Sequence, residues 1–344
     1  MTERVTIIGG GSWGTALARL VASNNHQVLI YLRDQIVRDY INQEHINYKY
    51  FPEYDLPTNV RATTDLEEGI DFASIIILAI PTQQTREIMQ KISIYLKRDQ
   101  VICSTAKGFE EESFLRNSEV ISENCRLATA VLSGPTHAEE VMEGLPTAVV
   151  VASKDLKLAQ RIQDLMMTSY FRVYTNPDLV GVEVGGAVKN VIAVASGITD
   201  GLGYGDNTRA TLITRGLHEM SRLGAYLGGQ LLTFAGLTGM GDLVVTCNSM
   251  HSRNRRFGIK IGRGIPLKQA LESVNQVVEG VKTTSAIYQW FQQRDYGFQL
   301  PITTEIYQVL FREKNPYQAV EDLMLRGPKH EFEEVVQEIS KKGM

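Results

Sequence analysis

The sequence predicts an α/β fold in two parts, a doubly wound sheet followed by an all-helical domain. In the first half of the chain, short apolar runs alternate with segments of helical periodicity, the pattern of a parallel sheet covered by helices. In the second half, helical periodicities continue and β-rich runs become scarce. A length of 344 residues also favours two domains over one. We place the domains at residues 1–180 and 181–344.

The elements follow from these patterns in chain order. The predicted strands are Val5–Ile8, Val28–Leu32, Ser74–Ile80, Gln100–Ser104, Ala128–Leu132 and Thr147–Val151, with helices at Thr15–Ser23 and Gln84–Leu96. Helices of the second half are predicted at Glu183–Ile198, Thr208–Leu227, Ser252–Lys260, Leu267–Ser273 and Thr283–Phe291. About 65 residues at the C-terminus, rich in polar helical segments and ending near Lys341 and Lys342, are expected to pack on the helical domain.

Composition narrows the classes of function. A net charge of −4 argues against nucleic acid as the main partner, because phosphate neutralisation needs a basic surface. The three cysteines form no CxxC pair and the six histidines do not pair at ligand spacing, so we predict neither a disulfide framework nor a metal site. No apolar leader begins the sequence, and the apolar run Ile75–Ile80 is too short to span a bilayer. We therefore expect a cytoplasmic protein without an integral membrane segment.

A glycine motif follows the first predicted strand. Gly9, Gly11 and Gly14 match G-x-G-x-x-G between a strand and a helix, the context in which this weak pattern indicates a dinucleotide site of the Rossmann type. The glycines allow a tight turn, close approach of a pyrophosphate and close packing of helix on strand. Ser12 and Trp13 lie between the second and third glycines, so we expect both to touch the dinucleotide. A glycine turn without a ligand is the alternative.

The end of the second strand bears on which dinucleotide binds. An acidic residue there suits the ribose hydroxyls of NAD, whereas an arginine suits the 2′-phosphate of NADP. Arg33 occupies the expected place, so we predict a preference for NADP(H), with NAD(H) possible because Asp34 is adjacent. Arg33 as a solvated surface charge is the alternative.

Four polar side chains lie within or beside apolar or glycine-rich segments. Lys189 and Asn190 lie within an apolar helix, where burial would lower the pKa of a lysine toward the range of a general acid or base. Lys107 follows a predicted strand at the carboxyl edge, where parallel sheets bind ligands. Asp242 follows a glycine-rich segment and could orient a lysine or bind a hydroxyl. A snorkelling lysine and a loop lysine in water are the alternatives for Lys189 and Lys107.

A candidate phosphate site lies further along the chain. Ser252 is a good N-cap for the helix that follows, and the helix N-terminus, the Arg253 guanidinium and the Asn254 amide together suit a phosphate. The alternative is a basic helix face, since further arginines and lysines follow.

These residues give the chain a close resemblance to bacterial NAD(P)-dependent glycerol-3-phosphate dehydrogenases. The motifs that carry it occur in the family's order over nearly the whole chain: GGGSWGTALA, STAKGFE, SGPTHAEEV, VGGAVKNVIAVASGITDGLGYGDNTRA, FAGLTGMGDLVVTC, SRNRRFG and VVEGVKT. The resemblance implies a Rossmann domain joined to a helical domain similar to that of 6-phosphogluconate dehydrogenases, and a homodimer. It implies reversible reduction of dihydroxyacetone phosphate to sn-glycerol 3-phosphate, which feeds glycerophospholipid synthesis.

The resemblance also assigns roles by position. Lys189 matches the catalytic lysine, and we expect Lys107 to polarise the carbonyl while Asn190 and Asp242 orient Lys189. The matching cofactor positions are Ser12, Trp13, Arg33, Lys107, Ala138, Arg253, Val277 and Glu279. The matching substrate positions are Lys107, Gly134, Thr136, Lys189, Asp242, Ser252, Arg253 and Asn254. Two competing functions remain. A hydroxyacid or 6-phosphogluconate-type dehydrogenase is disfavoured by the phosphate site and the Asp242 loop. A non-catalytic dinucleotide sensor is disfavoured by the joint presence of Lys107, Lys189 and Asp242.

Overall fold

The N-terminal half forms one eight-stranded sheet with helices on its faces. The structure is a computed structural model that describes residues 2–274, 277–293, 295–328 and 330–331. The strands are β1 Arg4–Ile8, β2 Gln27–Tyr31, β3 Val60–Thr63, β4 Ile75–Leu78, β5 Val101–Ser104, β6 Thr129–Ser133, β7 Thr147–Ala152 and β8 Phe171–Asn176. The helices of this half are α1 Ser12–Ser23, α2 Gln35–Glu44, α3 Leu66–Phe72, α4 Thr85–Ile92, α5 Asn117–Asn124, α6 Ala138–Glu143 and α7 Leu156–Met166.

The order of the strands creates a crevice at the carboxyl edge of the sheet. The order is β3-β2-β1-β4-β5-β6-β7-β8, so the chain leaves β1 in one direction and resumes on its other side at β4. Such a reversal opens the crevice in which doubly wound sheets bind ligands. The inner strands are buried on both faces, as in β4, where all four residues are buried. The predicted doubly wound sheet is therefore confirmed.

One pairing departs from the predicted parallel sheet. Strand β7 runs antiparallel to β6. The connection between them contains only the six-residue helix α6, which ends at Gly144 in the left-handed conformation (φ 75°). A segment this short returns the chain along the same edge instead of crossing the sheet face. As a result, the loop that carries Gly134 and Thr136 lies at the carboxyl edge of the sheet.

The C-terminal half is helical and is built around one central helix. Its helices are α8 Leu179–Gly201, α9 Asp206–Tyr226, α10 Leu231–Phe234, α11 Asp242–Asn248, α12 Arg253–Gly262, α13 Leu267–Glu272, α14 Glu279–Phe291, α15 Pro301–Phe311 and α16 Pro316–Met324. Helix α8 is buried on all sides, and α9, α11, α12, α14 and α15 pack against it. The predicted helical half is confirmed, and the part of the C-terminal segment that the structure describes packs on it; Lys341 and Lys342 lie outside the described residues.

Helices α8 and α12 cross at very short range. A Cβ on Gly197 would lie 2.1 Å from the carbonyl oxygen of Arg255, and a Cβ on Gly258 would lie 2.2 Å from that of Val194. Side chains at these positions would push the helices apart. The close crossing brings the N-terminus of α12 next to the middle of α8, where Lys189 and Asn190 lie.

Among the residues that the structure describes, two helical stretches have the length and apolar composition of a membrane span. One is α8, in which 94% of an apolar 18-residue segment is buried inside the protein. The other covers residues 231–248, of which 44% are buried. The apolarity of α8 is explained by its place in the core of the helical half.

Candidate active site

The loop between β1 and α1 has the shape of a phosphate cradle. Gly9 has a φ of +122°, a backbone conformation that side chains rarely adopt. A Cβ on Gly14 would lie 1.8 Å from the carbonyl oxygen of Gly9, so strand and helix pack too closely for a side chain there. A Cβ on Gly11 would meet no atom within 4 Å, which leaves this side of the backbone open. No side chain caps the first turn of α1, so its amide groups fit a dinucleotide pyrophosphate.

A buried asparagine holds this glycine loop in place. The amide nitrogen of Asn47 donates to the carbonyl oxygen of Gly10 at 3.1 Å and to the hydroxyl of Thr15 at 2.8 Å. Asn47 is fully buried, and sequence reasoning missed it because no local pattern links it to the loop. Ser12 and Trp13, the two predicted cofactor contacts between the glycines, are the first residues of α1.

Arg33 and Asp34 follow β2 at the same edge of the sheet. Arg33 is exposed. Asp34 caps α2 by accepting hydrogen bonds from the amides of Ile36 and Val37 at 3.1 and 3.2 Å. Since β1 and β4 separate β2 from β5, the strand ends before Arg33 and Lys107 are three strand spacings apart, about 14 Å. The structure therefore does not bring Arg33 to the lysines but places it at the far end of the crevice.

The centre of the site is a buried pair of opposite charges. The ammonium nitrogen of Lys189 lies 2.6 Å from Oδ1 of Asp242 and donates to the hydroxyl of Thr246 at 2.8 Å. Only 8% of the Lys189 side chain and 1% of the Asp242 side chain are exposed. Burial lowers the pKa of Lys189 to about 8, although the charge of Asp242 opposes this effect. Lys189 thus stays mostly protonated at neutral pH and releases its proton readily.

A second lysine completes the cluster from the sheet side. Lys107 donates to Oδ2 of Asp242 at 2.8 Å and to the carbonyl oxygen of Gly134 at 2.7 Å, and its nitrogen lies 3.3 Å from the hydroxyl of Thr136. Burial alone would raise the pKa of Asp242, but the charges of Lys107 and Lys189 outweigh it and lower this pKa. Two ammonium groups around one carboxylate leave an excess positive charge, which suits an oxygen that becomes negative during a reaction.

The glycine-rich sequence before Asp242 explains how its carboxylate points inward. Residues Leu237–Gly241 form a single turn of π-helix, after which α11 begins with Asp242. A Cβ on Gly239 would lie 2.0 Å from the carbonyl oxygen of Phe234, so the tight turn depends on that glycine. Thr246, which the sequence analysis missed, lies one helical turn after Asp242 and donates to its carbonyl oxygen at 2.6 Å. Its i+4 spacing from Asp242 is the signal that could have identified it.

Asn190 does not orient Lys189, contrary to the prediction. Its amide nitrogen donates to the backbone carbonyl oxygen of Lys107 at 3.0 Å, and its oxygen accepts from the amide of Asn254 at 2.9 Å. Adjacent residues on a helix point about 100° apart, so the two side chains face different neighbours. Asn190 instead links the backbone of Lys107 to the start of α12.

The start of α12 combines an N-cap, an arginine and an amide. The hydroxyl of Ser252 accepts from the amide of Arg255 at 3.2 Å, as an N-cap does. Asn254 is buried, and its oxygen accepts from the amide of Gly280 at 2.9 Å. Arg253 is an exposed residue and donates to the carbonyl oxygen of Val277 at 3.3 Å. Burial lowers the pKa of its guanidinium, so the charged group itself is partly shielded from water. A guanidinium at a helix N-terminus fits a phosphate group.

Glu279 joins the two halves of the protein near this point. Its Oε1 accepts from the backbone amide of Thr82, in the turn after β4, at 3.0 Å. Burial raises the pKa of Glu279, and the Thr82 amide opposes that effect. Ala138, another predicted cofactor position, is buried at the start of α6. The structure brings five of the predicted residues together by direct contacts, namely Lys107, Gly134, Thr136, Lys189 and Asp242. Arg253 and Val277 form a second contact at the start of α12.

A Rossmann-type sheet with a glycine cradle, joined to helices that supply a buried lysine and aspartate, defines a two-domain NAD(P)-dependent oxidoreductase. Family models narrow this class: the model of the NAD-dependent glycerol-3-phosphate dehydrogenase N-terminus matches residues 4–159, and the model of its C-terminus matches residues 178–321. The chain belongs to this family, as the motifs of the sequence indicate.

The chain is similar to individual relatives over nearly their whole length. The chain is 64% identical to a glycerol-3-phosphate dehydrogenase (NAD(P)+) of Halothermothrix orenii, covering 99% of this chain and 100% of the relative. It is 50% identical to one of Clostridium acetobutylicum, covering 95% and 98%. The crystal structure of glycerol-3-phosphate dehydrogenase from Coxiella burnetii superposes with a TM-score of 0.90 at 36% identity, covering 94% of this chain and 99% of that one.

Proposed function

We propose that this protein catalyses the reversible reduction of dihydroxyacetone phosphate to sn-glycerol 3-phosphate, with NADPH preferred over NADH. The observation that carries the proposal is the buried cluster of Lys189, Asp242 and Lys107. Lys107 follows β5 at the same carboxyl edge of the sheet as the glycine cradle, which follows β1. A ketone that accepts a hydride needs a proton on its oxygen, and this cluster holds one on Lys189. Membership of the family supports the substrate and the nicotinamide cofactor.

The three side chains of the cluster have separate roles in the proposed reaction. A nicotinamide cofactor held at the glycine cradle would provide the hydride that reduces the carbonyl carbon. Lys189 donates its proton to the carbonyl oxygen, while Lys107 holds and polarises that oxygen. Asp242 stabilises Lys189 in its protonated form and fixes the direction of its N–H bonds. In the reverse direction, the neutral amine of Lys189 accepts the proton of the 2-hydroxyl group.

Three places along the crevice would hold three anionic groups. Ser252, Arg253 and Asn254 bind the substrate phosphate at the start of α12. The glycine cradle binds the pyrophosphate, and Arg33 binds the 2′-phosphate of NADPH. Asp34 supports this preference, because its carboxylate is already engaged as the cap of α2 and is less available to a ribose hydroxyl. Holding both ligands in place between the domains accounts for much of the rate.

The first test is the loss of nicotinamide absorbance when the protein is mixed with dihydroxyacetone phosphate and either NADPH or NADH. Rapid oxidation is expected with both, and faster oxidation with NADPH. No oxidation by folded protein that binds the nucleotide would reject the substrate, and a panel of hydroxyacids and 6-phosphogluconate would then test the competing dehydrogenases. Equal rates with the two cofactors would reject only the preference for NADPH.

We also propose that the protein is a cytoplasmic homodimer that supplies glycerophospholipid synthesis. Light scattering tests the dimer, and localisation of a tagged chain tests the compartment.

A further inference from the structure

A lysine that the sequence analysis did not single out lies beside the proposed 2′-phosphate site. The ammonium nitrogen of Lys49 is 3.4 Å from Oδ2 of Asp34, the residue that follows Arg33. The side chain of Lys49 is 54% exposed and that of Asp34 is 40% exposed. The pair is therefore in contact with solvent at the carboxyl edge of the sheet, where a ligand can reach it.

The backbone around Lys49 is fixed to the glycine cradle. Asn47, two residues earlier, bonds to the carbonyl oxygen of Gly10 and to the hydroxyl of Thr15. Its own carbonyl oxygen accepts from the amides of Tyr50 and Phe51 at 3.1 and 2.8 Å, which closes a tight turn. Lys49 is thus carried on a turn anchored to the loop that we propose holds the pyrophosphate, and this turn aims it toward the end of β2.

Asp34 does not need Lys49 for its structural role. Its Oδ1 accepts from the two backbone amides that it caps, whereas Lys49 contacts only Oδ2. An exposed ion pair of this length contributes little to folding stability. A dianionic phosphate is a stronger partner for an ammonium group than one carboxylate oxygen at 3.4 Å, so a bound phosphate can take Lys49 from Asp34.

We propose that Lys49 is a second cationic ligand of the 2′-phosphate of NADPH, beside Arg33, and that its contact with Asp34 gives way to the phosphate when the cofactor binds. The inference rests on the proposed cofactor preference and deepens it. Lys49 and Arg33 therefore favour NADPH over NADH by attracting the additional phosphate, while the carboxylate of Asp34 competes with that phosphate for Lys49.

The test is equilibrium binding of 2′,5′-ADP and of ADP, measured by calorimetry in the absence of substrate. Lys49→Gln is expected to weaken 2′,5′-ADP binding roughly tenfold and to leave ADP binding almost unchanged. Asp34→Asn keeps a good N-cap but removes the charge, so it is expected to strengthen 2′,5′-ADP binding. The matched control is Lys97→Gln, because Lys97 pairs with Asp71 at 2.9 Å, is 49% exposed and lies before β5 at the opposite edge of the sheet.

The outcomes separate this inference from the proposed preference. If wild-type protein favours 2′,5′-ADP over ADP but Lys49→Gln behaves like Lys97→Gln, Lys49 is not a ligand and the preference stands on Arg33 alone. If Lys49→Gln weakens both nucleotides equally, its effect is structural and the inference is overturned. If wild-type protein binds the two nucleotides equally, both the preference and the role of Lys49 are rejected, whatever the enzyme does with its substrate.

Discussion

The ammonium group of Lys189 lies 2.6 Å from the carboxylate of Asp242, and both side chains are buried. Burying a charged pair is costly, and here a second lysine adds a positive charge that a structural ion pair would not need. The arrangement instead suits an anionic oxygen that forms and disappears during a reaction. Helix α8 supplies Lys189, the π turn before α11 supplies Asp242, and the loop after β5 supplies Lys107.

Replacement of Lys189 by alanine is expected to remove most turnover and to leave cofactor binding intact. General acid–base groups contribute about a hundredfold to ten-thousandfold to rate, so kcat should fall by at least about a hundredfold. The measurements are kcat with dihydroxyacetone phosphate and the Kd of NADPH, with Lys154→Ala, an exposed lysine after β7, as the control. Turnover near that of the wild type would remove Lys189 from the catalytic role.

The pH dependence of the two reaction directions is expected to be opposite. Reduction needs protonated Lys189, whose pKa burial lowers to about 8, so kcat for reduction should fall as the pH rises through 8. Oxidation needs the neutral amine and should rise over the same range. His137, which feels the charges of the cluster, does not supply this transition, because burial and the charge of Lys189 lower its pKa to about 4.

Asp242→Asn provides the control for this assignment. The carboxylate of Asp242 raises the pKa of Lys189, so its removal should move the transition in the residual activity to lower pH. A transition that stays in place in this variant would belong to another group. The full profile of kcat against pH for both directions, at saturating substrates, decides whether the transition belongs to Lys189 or to another group.

The fold was predictable because its signals are local. Apolar runs gave most of the strands and the glycine motif gave the cofactor edge, but β3 and β8 were missed. Strand β3 has four residues and includes the exposed Arg61, and β8 alternates buried residues with exposed Arg172 and Tyr174, so neither resembles a strand buried on both faces. The antiparallel pairing of β7 was missed because it depends on the length of a connection.

The site was predictable in its residue types and not in its contacts. Lys107 and Asp242 are 135 residues apart, and no spacing rule connects them. The partners of Asn190 were mistaken because they are set by the crossing of α8 and α12, which the sequence does not encode locally. Asn47 and Lys49 were missed for the same reason, since they reach the cofactor edge through a turn of the chain.

Two glycines of the cradle, Gly11 and Gly14, are expected to respond differently to replacement by alanine. Gly11→Ala should leave folding almost unchanged, since its Cβ meets no atom within 4 Å, but should weaken NADPH binding by obstructing the pyrophosphate. Gly14→Ala should destabilise the protein, because its Cβ would lie 1.8 Å from a backbone oxygen. Thermal unfolding and nucleotide affinity, measured on both variants, separate the two effects. A Gly11→Ala variant that binds NADPH as the wild type does would contradict the cradle.

Arg253→Ala is expected to raise the KM for dihydroxyacetone phosphate and to change kcat much less. Arg253 lies at the start of α12, and its role toward the substrate would be to hold the phosphate, which is bound equally in the substrate and in the transition state. Loss of a charged hydrogen bond to phosphate predicts a KM increase of about tenfold to a hundredfold.

Arg263→Ala is the matched control for this effect, because it removes the same charge from the other end of the same helix. Its KM should stay near that of the wild type, even though the overall field of the helix has changed. Inorganic phosphate should compete with the substrate in the wild type and in Arg263→Ala but more weakly in Arg253→Ala. A KM in Arg253→Ala that matches the control would move the phosphate site away from α12, and a kcat loss without a KM change would assign Arg253 to the chemical step instead.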